Sequence, residues 1–178
     1  MRILILCFLF VSVGFQTPNV DKDVPAKNKE FIKFLEKHGK EIAPTYNEVN
    51  CVQFMNKSLK RFLISVPRET CQRMYISHNI ETINKLIASN DTTIISGVCA
   101  ALVDANLARW IKPEDAKQGD IIQYWSTSGF TNGHCGIIYG EDSNGFILYG
   151  SHPDSKGFGK MNMLNKSIEM KVFIVRLK

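Results

Sequence analysis

Gly119-Asp120-Ile121-Ile122-Gln123-Tyr124-Trp125 is a β-rich run that begins from a Gly-Asp turn, and Gly133-His134-Cys135-Gly136-Ile137-Ile138-Tyr139 supplies the next one. Phe146 to Tyr149 follows after a turn of Gly, Asp, Ser and Asn, and Lys171 to Leu177 closes the chain with alternating character. Upstream of these runs the period is helical. Phe31, Phe34, Leu35 and His38 recur at helix spacing behind start signals at Asp23 and Pro25, and Gly39 is expected to stop the run. Val52, Met55, Leu59 and Phe62 mark one face of a second helix, with Asn50 as its N-cap and Pro67 beyond its end. Two more helices are expected around Ile80 to Ile87 and Val98 to Leu107, where Ala100, Ala101 and Ala105 suit close packing. Helices first and an antiparallel meander afterwards predict an α+β fold.

The N-cap at Asn50 puts Cys51 in the first turn of its helix, where the positive helix end favours a thiolate. His134 opens a strand about eighty residues later, between Gly133 and an apolar run, where a polar ring needs a partner. A thiol at a helix start followed by a histidine on a strand suits a nucleophile and its general base. The competing reading of Cys51 is a buried thiol or half of a disulfide. His38 and His78 sit in polar stretches and read as solvated groups. A hairpin turning near Asp142 to Asn144 places residues 149 to 152 opposite His134, so Tyr149, Ser151 and His152 are the side chains available to orient the imidazole. The plainer role for Ser151-His152-Pro153-Asp154 is a turn in which the strand leaves the sheet. Trp125, the loop Ser126 to Asn132 and Ser151 are the expected substrate contacts. Asp120 reads as a turn carboxylate capping local amides.

Lys117 to Trp125, a polar loop, and Gly133 to Ile138 together resemble a segment of two related families, the NlpC-type cell-wall cysteine peptidases and the CHAP amidohydrolases. Asn50-Cys51 is similar to their nucleophile motif. The matching segments span roughly residues 40 to 160. The resemblance implies a papain-like fold, with the Cys51 helix packed on the His134 sheet, and cleavage of amide bonds in peptidoglycan peptides. NlpC-type enzymes often carry a second histidine on the strand after the base, which favours His152 as third residue, with Ser151 next. The chain departs from these families in places. Val52-Gln53 stands where Ser-Gly usually follows the nucleophile, no Glu-x-Asn follows His134, and Tyr46 lies closer to Cys51 than the tyrosine of the NlpC pattern. The related lipid-modifying acyltransferases place His before Cys, the reverse of the order here.

Arg2 is the only charge before Asp21, Ile3 to Val11 is apolar, and Ser12-Val13-Gly14 supplies small residues, which together predict an export signal over residues 1–16. The apolar run is shorter than the roughly 20 residues of a membrane span, so no stable span is expected once the signal is removed. Residues 17–178 are expected to form one domain, with a periplasmic or extracellular location. The net charge of +5 is scattered along the chain and traces no nucleic-acid track. No Cys-x-x-Cys or His-x-x-x-His spacing occurs, and neither a metal nor another cofactor is expected. One disulfide among Cys71, Cys99 and Cys135 is compatible with export. Two functions fit: an exported cysteine amidase or endopeptidase acting on peptidoglycan, and a non-enzymatic exported domain that binds wall fragments or a protein partner.

Overall fold

A computed structural model of the chain describes residues 23–76, 80–89, 96–126, 133–143, 145–163 and 170–178. The expected export signal, His78 and residues 127–132 of the expected loop lie outside the described residues. Among the described residues the chain forms α1 (Ala26–Ile42), α2 (Cys51–Phe62), α3 (Arg68–Arg73), α4 (Ile80–Ala88) and α5 (Val98–Asp104). It then forms β1 (Ala108–Ile111), β2 (Ile121–Ser126), β3 (Gly133–Asp142), β4 (Gly145–His152), β5 (Gly157–Asn162) and β6 (Met170–Leu177). The strands make a six-stranded sheet in the order β1-β6-β2-β3-β4-β5, and every pairing is antiparallel. The fold class is α+β, and the meander β2-β3-β4-β5 runs from the middle of the sheet to one edge. None of the described helices is long and apolar enough to cross a membrane.

Alternation along the strands divides the core. Ile121, Cys135, Ile137, Tyr149 and Val175 face a cluster built with Phe31, Leu35, Phe54, Met55, Leu59 and Leu102 of the helices. Ile122, Tyr124, Ile138, Leu148 and Ile174 form a second cluster from the other side of the strands. Asp120 ties this arrangement to α1. Its wholly buried carboxylate accepts from Asn28 Nδ2 at 2.8 Å, from the Lys117 N–H at 2.8 Å and from both Nε and a terminal nitrogen of Arg176 at 2.7 and 2.8 Å. The local capping expected of Asp120 is present, and a two-pronged ion pair to the last strand accompanies it.

Several expected boundaries move. Gly39 does not stop α1, which runs on to Ile42. Gly39 is a packing notch instead, because an added Cβ would lie 2.4 Å from the Phe158 ring of β5. Pro67 caps the short α3, which the sequence pattern did not mark. The helix expected through Leu107 ends at Asp104, and β1 begins four residues later as a partner for β6. The alternative reading of Ser151 to Asp154 as a turn that leaves the sheet is met in part: the chain turns after His152, where β4 ends, but β5 returns alongside with His152 paired to Gly157.

Two contacts from this hairpin hold the segment that leads into α2. The Phe158 N–H donates to the Ala43 carbonyl at 2.9 Å, and the buried Ser151 hydroxyl donates to the Val49 carbonyl. Gly157, at φ +138°, lies so close to the Ala43 and Pro44 carbonyls that a side chain would meet them at 2.7 Å. The β4–β5 hairpin thereby places the start of α2.

Candidate active site

Asn50 closes a reciprocal cap at the head of α2. Its Oδ1 accepts from the Gln53 N–H at 3.0 Å, and the Asn50 N–H donates to Gln53 Oε1 at 2.9 Å. The N-cap read from the sequence is therefore present, and Cys51 is the first residue of the helix. Its thiol is partly buried and packs at the border of the main core cluster.

Cys51 meets two consecutive residues of β3. It hydrogen-bonds the Cys135 side chain and the His134 ring, and the Cys135 backbone N–H also donates to it. These contacts pull the Cys51 thiol down to about 4, with the Cys135 thiol as the largest cause, then the His134 hydrogen bond and charge, against an opposing effect of burial. Cys135 shifts the other way and stays protonated, because it faces the Cys51 thiolate and is wholly buried. The pair thus divides into one thiolate and one thiol donor. Cys71 and Cys99 are buried, and all four described cysteines are free, so the disulfide considered among Cys71, Cys99 and Cys135 is absent here. Burial also holds the Cys99 thiol well above its ordinary value.

His134 is buried, and its Nε2 has no hydrogen-bond partner among the described residues. The hydrogen bond to Cys51 therefore belongs to Nδ1. Nε2 lies over Gly150, where an added Cβ would be 3.4 Å away. The ring packs between Tyr124, with centroids 5.9 Å apart, and His152, with centroids 5.3 Å apart at an interplanar angle of 85°. His152 is thus brought to His134 as expected, but the contact is ring edge to ring and not a hydrogen bond. The His152 Nδ1 accepts the Asp154 N–H at 3.1 Å, which leaves Nε2 to carry the proton in the neutral ring. Burial, followed by the charge of His134, lowers the His152 pKa and keeps the ring neutral.

The other two side chains considered for the third position are engaged elsewhere. Tyr149 donates to Glu36 Oε1 on α1 at 3.3 Å. Ser151 points to Val49, is wholly buried and does not line the cavity, so its expected substrate contact is not found. It acts instead as a strut beneath the nucleophile segment.

A cavity of about 280 Å³ opens beside the three residues. Trp125, one of the expected substrate contacts, lines it next to Gly133, where an added Cβ would lie 2.5 Å from the indole. Tyr46, Gln123, Val98 and the Met74-Tyr75-Ile76 segment also line it, and the sequence reading assigned none of them. The signals for some were present: Tyr46 stands five residues before Cys51, and Cys135 adjoins His134. No group of three or more His, Cys, Asp or Glu among the described residues is arranged to hold a metal ion. In comparisons with known proteins, no family model, curated protein or solved structure matches the chain.

The Cys135 contact makes a specific prediction. Cys135→Ala removes the thiol donor, so the Cys51 thiolate becomes less favoured and iodoacetamide labelling at pH 5 slows by about tenfold. Cys135→Ser, which keeps a hydroxyl donor, recovers part of the rate. Rates measured by mass spectrometry of the Cys51 peptide check both.

Proposed function

We propose that the chain is an exported cysteine amidase or endopeptidase of the papain-like NlpC/CHAP type, hydrolysing amide bonds in peptidoglycan peptides. One observation carries the reading: a thiol at the first position of α2 is hydrogen-bonded to a buried histidine beside an open cavity. The peptidoglycan assignment comes from the sequence resemblance. The Cys51 thiolate attacks the amide carbonyl, forming a C–S bond and a tetrahedral oxyanion. His134 gives its Nδ1 proton to the leaving nitrogen as the C–N bond breaks, leaving a thioester on Cys51. Water then attacks the thioester, His134 takes its proton, and the acid product leaves as the thiolate re-forms. The Cys51 N–H, in the first turn of α2 with no carbonyl one turn earlier to bond, is an oxyanion donor.

His152 is a positioning residue in this scheme. Its ring supports the imidazole edge-on, so His152→Ala lowers kcat by roughly 10- to 100-fold, less than His134→Ala, while Cys51 still alkylates before the other thiols. Ser151→Ala destabilises the fold by about 1–2 kcal/mol through the stranded Val49 carbonyl. A Ser151→Ala enzyme crippled beyond its folding loss, beside an unaffected His152→Ala enzyme, reverses the two roles.

A binding domain on the same scaffold is the rival, favoured by the missing partner at His134 Nε2. Digestion of purified peptidoglycan, with new termini identified by mass spectrometry, separates the two. Termini produced by the wild type and not by Cys51→Ala support the hydrolase. Retention on peptidoglycan without new termini supports the binding domain.

A further inference from the structure

The described walls of the cavity beside Cys51 are mostly apolar. Val52, Met74, Ile76, Val98 and Trp125 supply apolar surface, and among the described residues no Asp, Glu, Lys or Arg lines it. Its amide oxygens, and the Gln123 amide nitrogen, are already engaged. Asn50 Oδ1 accepts the Gln53 N–H, Gln123 Oε1 accepts the Cys99 N–H at 3.2 Å, and Gln123 Nε2 donates to the Ser96 carbonyl at 2.8 Å. Among the described residues, hydroxyls on Tyr46 and Tyr75 also line it, and the Trp125 indole N–H is a buried donor without a partner. Both hydroxyls have raised pKa values, chiefly from burial, and stay neutral.

We propose that this cavity takes an uncharged, apolar residue of the substrate, so that the amide cleaved adjoins such a residue and the carboxylates of an acidic peptide stay outside. The proposal rests on the reading of Cys51 as nucleophile and adds the substrate class. Among the described residues no lysine or arginine lines the cavity, while the Cys51 thiol at its edge is the group pulled toward the thiolate. A carboxylate drawn in would lose its water, face the thiolate and find no lysine or arginine among the described lining residues. An apolar group loses nothing on leaving water and gains contact with the Met74, Val98 and Trp125 surface. Size agrees: at roughly 30 Å³ per water, about 280 Å³ equals the volume of about nine waters, enough for one large side chain.

Three alkylating probes differing in charge and bulk test this without requiring turnover. Iodoacetamide, iodoacetate and N-benzyliodoacetamide are each reacted with the full-length protein, and the rate at Cys51 is divided by that reagent's rate with 2-mercaptoethanol thiolate. The benzyl reagent is expected to exceed iodoacetamide by about tenfold, and iodoacetate to fall about tenfold below it. Tyr75→Arg, which adds a cation at a half-exposed rim position, is expected to raise the iodoacetate-to-iodoacetamide ratio. Fast Cys51 labelling that is indifferent to charge and bulk, or fastest with iodoacetate, overturns the apolar cavity and leaves the nucleophile standing. Labelling of Cys51 no faster than Cys71, Cys99 or Cys135 by every reagent overturns the nucleophile, and the proposal with it.

Discussion

Cys51→Ala abolishes amide hydrolysis while the protein stays folded. The substitution removes the atom that forms the thioester, so the rate falls by about three orders of magnitude or more. Stability changes by about 1 kcal/mol or less, because Cys51 lies at the core border and the cap made by Asn50 and Gln53 persists. For a chain of this size that is a shift of roughly 2–4 °C in Tm. Circular dichroism melting alongside the peptidoglycan digest checks both halves. A folded Cys51→Ala protein with full turnover ends the nucleophile assignment.

His134→Ala acts on the same sulfur from the other side. Activity falls by about 10²–10⁴-fold, the range expected for a lost general acid-base group. The thiolate also loses a hydrogen bond and a positive neighbour, so the Cys51 pKa moves up from about 4. In the wild type the thiolate is already formed at pH 5.5, and alkylation is flat from there upward. It declines only as pH falls through about 4. In His134→Ala the decline moves to higher pH, so labelling at pH 5.5 slows while labelling at pH 9 changes little. It stops short of an ordinary thiol, since the Cys135 side chain and backbone still donate. Alkylation rates across pH 3.5–9 check the prediction, and identical profiles for the two proteins remove His134 from the site.

Asn50, Cys51 and Gln53 show why part of this site is readable from sequence. A helix cap is a contact among residues three apart, so the residue types alone specify it. The runs of β2, β3, β4 and β6 are equally local, because alternation repeats within a few residues. The strands that went unmarked, β1 and β5, draw their definition from neighbours: four residues of β1 pair with β6, and the Gly-rich β5 pairs with β4. Gly39 carries the usual stop signal, yet it is spent on admitting the Phe158 ring, which arrives from far along the chain.

Which side chains meet at the sulfur was decided by tertiary structure. A bulge between Ile138 and Gly140 shifts the β3–β4 register by one residue, from Gly140↔Ile147 to Ile138↔Leu148 and Ile137↔Tyr149. Continued along both strands, that register sets His152 opposite His134 and turns Ser151 toward Val49. Without the bulge Pro153 would take the place of His152. Cys135 is the same kind of case. Alternation sends residues 134 and 135 to opposite sides of a strand, so the pattern offers no reason to expect both at Cys51. The order of cysteine, histidine and sheet was thus determined by the sequence itself, because caps and alternation act between near neighbours. The partners of Cys51 and the cavity beside it came from the register of the sheet and the approach of α2, which depend on the whole packed chain.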